Sequence, residues 1–239
     1  KRLDLKMANS EQIFSLALGL EELWHIQAIV FNKEQSQLDI HLAFTRGHKF
    51  KMEDGKTYTA HDTVERRWEH LNFFQHKCYL HAKVPRVKQA DGKIHTQEVS
   101  WARKGSGFTL LFEAFAMLLI ENEMPVNKAA KVVNVYPNRL WTIFNYWISI
   151  AHKKDVIEDL DKVGFDETSV KKGHNYVTTM VDLKQRRVLF VSAGKGSDCI
   201  EKSVNYLQEK KIDPQTIKQV CIDMSPAFIS GCNTYLPEA

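Results

Sequence analysis

The sequence predicts an α+β chain of several domains: a small β-rich N-terminal module, a helix-turn-helix, and a partial ribonuclease-H-like α/β domain. Three observations carry this. Apolar alternation and Asp-Gly turns dominate residues 1–104. An apolar helix, a short helix, a tight turn and a longer helix follow within 105–155. Three strands, a helix, a fourth strand and a last helix then fill 156–239.

In the first part, Ser10 caps a helix over residues 11–22, where Ile13, Leu16, Leu18 and Leu20 supply an apolar face. Residues 24–31 and 37–44 alternate in strand fashion. In the second, Leu38, Ile40, Leu42 and Phe44 point one way while Asp39, His41 and Ala43 point the other. A turn through 32–35 joins them as a hairpin. MEDGK at 52–56 and KQADGK at 88–93 each carry an Asp-Gly pair, a strong signal for a tight hairpin turn. Between them, 64–71 and 77–84 read as strands. Five histidines fall within 57–95: His61, His70, His76, His81 and His95. No pair has the two-plus-two spacing of a zinc ligand set, so hydrogen-bonded or solvated histidines are expected, without zinc.

In the middle part, 108–122 is an apolar helix that Met124 and Pro125 break. A short helix over 126–133 places Ala129, Ala130 and Val133 on one face. The segment 134–137 turns, and a longer helix starts near Asn138, with Leu140, Trp141, Phe144, Trp147 and Ile148 at helical spacing. Short helix, turn and longer helix is the helix-turn-helix pattern. In that reading Asn138, Arg139 and Thr142 reach base edges in a major groove, and Lys153 and Lys154 touch phosphate. An ordinary helical hairpin, with Trp141 and Trp147 as core and a solvated helix end, fits the residues as well.

After a charged linker at 153–162, strands are expected at 162–170, 176–183 and 187–193, with Gly173 and Gln185-Arg186 at the turns. An amphipathic helix over 199–211 presents Ile200, Val204 and Leu207 on one face. A strand at 218–222 precedes a helix with Ser225 as N-cap and Pro226 at its first position. This is the element order of the first half of a ribonuclease-H-like fold. A fourth strand returning through a helical crossover lies parallel to the first, which brings Asp166 and Asp223 side by side. Hard oxygen ligands suit Mg²⁺ or Mn²⁺. Two such ions about 4 Å apart activate an attacking water or 3′-hydroxyl and stabilise the leaving oxygen.

Each aspartate has a plainer role open to it. Asp223 fits a turn before a capped helix. Asp166 follows Val163, Gly164 and Phe165, where a carboxylate buried without metal or partner would be costly. Glu167 points to the opposite strand face. Lys171, Lys172 and His174 occupy the next turn, facing DNA phosphate or only solvent.

The formal charge of +4 is compatible with nucleic acid but decides little. The cysteines, Cys78, Cys199, Cys221 and Cys232, are dispersed and suggest no disulfide framework, so a reducing cytoplasm is expected, with Cys221 buried in its strand. The apolar run 108–120 is too short for a membrane span and contains Glu113. The first residues are polar, unlike a signal peptide. Lys1 at the start, with Met7 as a possible true start, and Ala239 in a helical pattern suggest a fragment at both ends.

DETSVKKGHNYVTTMVDL, the RRVLFV strand and IDMSPAF resemble the catalytic domain of bacterial insertion-sequence transposases of the ISL-three family, a DDE group. WARKGSGFTLLFEA and DTVERRWEHLNFFQHKCYLHAKVPRV are similar to the same family's N-terminal half, so the resemblance runs from about Thr59 to the end. It implies cut-and-join transposition on double-stranded transposon-end DNA, with Asp166 and Asp223 as the first two acids of a catalytic triad. It also favours the helix-turn-helix reading. The family carries a cysteine-paired zinc module where this chain has MEDGK and QADGK, so tight turns are taken to replace the metal staple. The family's third acid lies well downstream, which implies a transposase lacking its C-terminal part, with an incomplete two-metal site. A catalytically inactive DNA-binding remnant or regulator of transposition is the alternative, and a nuclease acting on RNA–DNA hybrids or branched DNA is a third reading. A partial sheet leaves an open edge, so self-association is expected. The expected location is the bacterial cytoplasm, nucleoid-associated when DNA is bound.

Overall fold

The computed structural model describes residues 10–171 and 175–239. Lys172, Gly173, His174 and the side chain of Lys171 lie outside the described residues, as do Lys1 and Met7. The chain forms two compact units, one ending at Ile148 and the other beginning at Ser149.

The first unit opens with α1 (Ser10–Ala17). It stops short of the expected 11–22 because Gly19 takes a left-handed φ of +60° and the Leu20 amide turns back to the Ser15 carbonyl at 3.0 Å. Leu18 is buried, whereas Ile13 and Leu16 are exposed. Strands β1 (Trp24–Asn32) and β2 (Gln37–Phe44) form the expected hairpin. A small hairpin, β3 (Lys49–Lys51) and β4 (Thr57–Thr59), comes next. Then follow the long strands β5 (Asp62–Phe73) and β6 (His76–Lys88), and short β7 (Ile94–Thr96).

The main sheet runs β1-β2-β6-β5, with β7 also on β6. Its β2–β6 pair is parallel and the others are antiparallel. Both Asp-Gly turns are built alike. Gly55 and Gly92 have φ of +76° and +86°, and Asp54 and Asp91 each accept the amide two residues on at 3.0 Å. Period-2 alternation sends Leu38, Ile40, Leu42, Leu80, Ala82 and Val84 into a core with Trp24, Trp68 and Trp101.

Three helices complete this unit: α2 (Leu110–Glu121), α3 (Val126–Val132) and α4 (Pro137–Lys154), the last continuing past Ile148. Thr109 caps α2 by accepting the Phe112 amide. Asn134, at φ +55°, closes the α3–α4 turn, with the Val135 amide on the Ala130 carbonyl at 3.0 Å. Phe108, Phe112, Ala116, Ala129, Ala130, Val133, Leu140 and Ile143 form the helical core. Trp141 is not part of it: it is 41% exposed and donates to Asn127 Oδ1, while Ile143 takes the inward position. Ile148 is also exposed.

The second unit holds β8 (Lys162–Lys171), β9 (Asn175–Asp182), β10 (Arg187–Ala193), α5 (Ser197–Glu209), a 3₁₀ turn (Pro214–Thr216), β11 (Gln219–Cys221) and α6 (Pro226–Tyr235). The order is β10-β9-β8-β11, with β11 parallel to β8 and the other pairs antiparallel. Val163, Phe165, Met180, Leu189, Ile200, Leu207, Ile217 and Phe228 are buried together. Cys221 is exposed rather than buried, because β11 is a three-residue edge strand and too short to be covered. Gly231 of α6 lets α5 approach closely: a Cβ there would lie 2.7 Å from Ile200 Cγ1. Among the described residues no helix is long and apolar enough to cross a membrane.

Candidate functional site

Two regions carry the residues singled out by the sequence. The first is the start of α4. Asn138 and Thr142 are exposed one turn apart, and Asn145, which sequence reasoning missed, continues the same exposed face at i+7. The Thr142 hydroxyl donates back to the Asn138 carbonyl at 3.0 Å. Arg139 is oriented differently. Its Nη1 donates to Glu69 Oε2 at 2.9 Å, and its guanidinium carbon lies 4.1 Å from the Phe108 ring centroid. Glu69 is buried, so Arg139 neutralises a carboxylate on β5 and ties α4 to the sheet. Lys153 and Lys154 are exposed in the last turn of α4.

A second clamp fixes the same helix. Glu113 of α2 is fully buried among apolar neighbours and accepts three hydrogen bonds. Arg103 Nε and Trp147 Nε1 donate to its Oε2 at 2.9 and 2.7 Å, and Ser106 Oγ donates to its Oε1 at 2.5 Å. Arg103 also lies over the Tyr146 ring at 3.9 Å. One carboxylate thus holds the loop before α2, α2 itself and the middle of α4 in fixed relation. The sequence signal was a lone Glu inside an apolar helix, read there only as an argument against a membrane span.

Beside this cluster, His70 Nδ1 lies 2.8 Å from Thr109 Oγ1. Burial holds its pKa down at about 4, so the ring is neutral and accepts the threonine hydroxyl proton. His81 sits 2.7 Å from Asp39, whose two oxygens also accept from Gln37, and these contacts hold the Asp39 carboxyl below its usual range against the opposing effect of burial. Cys78 is buried in β6 with its thiol pushed up to about 12, mainly by desolvation. Among the described residues no group of three or more His, Cys, Asp or Glu side chains is arranged to hold a metal ion.

The second region is the end of the parallel strand pair. The register of β11 on β8 runs to Cys221 on Gly164; Asp166 stands two residues further along β8, and Asp223 lies two residues past the end of β11. The burial argument for Asp166 does not hold: Val163 and Phe165 are buried, but Asp166 is exposed where β8 leaves the core. Glu167 pairs with Thr178 and Asp166 with Thr179, so the two acids take opposite strand faces, as expected. Asp223 Oδ1 accepts the Ser225 amide at 3.0 Å. Ser225 makes no side-chain cap bond of its own, so Asp223 also does the turn work before α6. Each aspartate is exposed and offers the oxygen donors that a hard divalent cation takes.

Comparison with known proteins covers both regions. Residues 163–239 match a family described as transposase, and residues 97–148 match the helix-turn-helix domain of transposase family ISL3. Residues 54–88 match the zinc-finger of transposase IS204/IS1001/IS1096/IS1165, although Cys78 is the one cysteine in that stretch. The chain is 25% identical over 184 residues to the transposase for insertion sequence element IS1001 of Bordetella parapertussis, covering 75% of this chain and 44% of that protein. It is 26% identical over 132 residues to the transposase for insertion sequence element IS1557 of Mycobacterium tuberculosis, covering 54% of this chain and 29% of that protein. The matches thus span less than half the length of these curated relatives.

Proposed function

The chain belongs to the ISL3 family of transposases, and from that premise we propose that it binds the double-stranded ends of an insertion sequence and carries two of the acids for strand cleavage and transfer. In this reading residues 1–104 are a β-rich module, 105–155 the DNA-binding region and 156–239 a partial ribonuclease-H-like domain. The strand order β10-β9-β8-β11, an antiparallel meander joined by a parallel fourth strand, supports the last assignment. Asn138 and Thr142, with Asn145 beside them, face the bases, while Lys153 and Lys154 meet phosphates. Arg139 stays with Glu69 and contributes field rather than base contacts.

The observation that carries the catalytic half is the parallel register of β11 on β8. Asp166 and Asp223 would hold the divalent cation, Mg²⁺ or Mn²⁺. When bound, such an ion polarises a phosphate oxygen and lowers the pKa of a nucleophilic water. The chain's own part is to present Asp166 to solvent and to orient the Asp223 carboxylate through the Ser225 amide.

The test is strand nicking of a duplex carrying the element's terminal repeats, in Mn²⁺, by the chain and its Asp166→Ala variant. Equal duplex affinity with loss of nicking in the variant supports the assignment. Nicking that survives Asp166→Ala sinks it. Binding without nicking by the unaltered chain would leave a DNA-binding regulator, and preferred cleavage of RNA–DNA hybrid would favour a nuclease.

Self-association belongs to the same proposal. The sheet ends in the open edges β10 and β11, and Val188 and Val191 on β10 are exposed. A monomer by light scattering at high concentration counts against it.

A further inference from the structure

The N-terminal sheet turns one face to its core and leaves the other polar. Across that polar face the register aligns Arg67, His81 and His41 in one row, with Tyr79 and Asp39 in the next. The Arg67 guanidinium lies 4.7 Å from the Tyr79 ring centroid, and the His41 and His81 rings stack at 4.7 Å. Two depressions mark this face and share Arg67. One, of about 590 Å³, includes His41, Arg46, His81 and Lys83 in its lining. The other, of about 460 Å³, runs from Lys77 and Tyr79 to Asn134 and Tyr136 in the turn before α4. The polar face is therefore continuous with the helix-turn-helix.

Its acids are already engaged. Asp39 accepts from His81 and Gln37, Glu69 from Arg139, and Glu65 lies 3.7 Å from Lys83. Among the described residues no carboxylate pairs with Arg46, Arg67 or Lys77. Three cations without a carboxylate partner among the described residues gather on one face of a chain whose formal charge is only +4. Aromatic rings lie between them and the strip leads to the base-reading helix. Cations set along a groove beside aromatic rings are what a nucleic-acid backbone selects.

We propose that this face is a second DNA-backbone contact, on which the duplex held by α4 continues across the sheet through Arg67, Lys77 and Arg46. The proposal rests on the reading that the helix-turn-helix region binds duplex DNA, and it adds a separate surface and separate residues.

The test compares the chain with the Arg67→Ala/Lys77→Ala and Arg46→Ala variants on two unrelated duplexes of equal length, titrated over salt. Each lost phosphate contact makes the slope of log affinity against log salt shallower by about 0.9, so the double variant loses about 1.8. The weakening should be the same on both duplexes, because backbone contacts carry no sequence information. An Asn138→Ala control should alter duplex preference and leave the slope alone. Unchanged slopes in both surface variants, with Asn138→Ala still effective, overturn the sheet contact and leave the helix-turn-helix reading standing. No duplex binding by the unaltered chain at low salt overturns both. Should the double variant misfold, Arg46→Ala decides alone, since Arg46 is exposed and outside the core.

Discussion

Removing the Glu113 carboxylate is the sharpest test of how this unit positions α4. Glu113 is fully buried and accepts from Arg103, Ser106 and Trp147. Glu113→Ala leaves the Arg103 charge without its carboxylate and the Trp147 and Ser106 donors without an acceptor. Breaking a buried pair from one side costs about 3–5 kcal/mol. Glu113→Gln is milder. Its carbonyl can keep Arg103 and Trp147, and its amide can donate to the Ser106 hydroxyl, so only charge assistance is lost, about 1–2 kcal/mol. The assay is tryptophan emission during thermal unfolding. All five tryptophans, Trp24, Trp68, Trp101, Trp141 and Trp147, lie in the first unit, so the signal ignores the second. At about 2–4 °C per kcal/mol, the alanine variant should lower that transition by roughly 10 °C and the glutamine variant by a few degrees. A drop under about 3 °C for Glu113→Ala, or equal effects of the two, would refute the keystone role.

Four further outcomes are expected. His70 binds a proton more readily unfolded than folded, so stability is complete above its unfolded pKa of about 6.5 and falls as pH drops toward the folded value of about 4. That loss is about 3 kcal/mol by tryptophan-monitored melts, and His70→Gln should flatten it; Asp39, with its lowered carboxyl, acts below that window. Gly231→Ala forces a Cβ to 2.7 Å from Ile200 and should cost the second unit about 1–3 kcal/mol by far-ultraviolet circular dichroism, with the tryptophan transition unmoved. Arg139→Ala strands buried Glu69 and should lower the tryptophan transition by about 1–3 kcal/mol, discounted because the arginine is partly exposed. Gly55→Ala, at φ +76°, should cost about 1 kcal/mol, while a chelator should leave the same transition in place; a shift on chelation would mean that a metal staple, not the turn, closes that hairpin.

What was legible in the sequence was local. The alternation in β2 and the two Asp-Gly turns depend on residues within a few positions of each other, and so do the buried Ala129 and Ala130 of α3 and Val133 at its end. Elements failed where one residue's backbone overrode a pattern, as when Gly19 cut α1 short. The parallel pairing of β2 with β6 could not be read, because neither strand's own pattern says which neighbour it takes. Cys221 and Asp166 were misjudged for one reason. Apolar neighbours argue for burial only while the strand stays covered, and β11 is an edge while β8 emerges at Asp166.

The reading of α4 shows why the contents of such a site are harder to see than its place. Asn138, Arg139 and Thr142 look equivalent in a linear pattern that marks only the start of a recognition helix. On the helix, Asn138 and Thr142 stand one above the other, and Asn145 extends their row. Arg139 is turned about 100° away, toward β5. There a buried carboxylate, Glu69, lies within reach across seventy residues of chain. The arginine's partner decides its task, and that partner comes from the sheet. The same holds for Glu113, whose donors come from the loop before α2 and from α4. Both clamps hold α4 from its inward side, which leaves Asn138, Thr142 and Asn145 as the face that meets solvent and, in the proposed function, the groove.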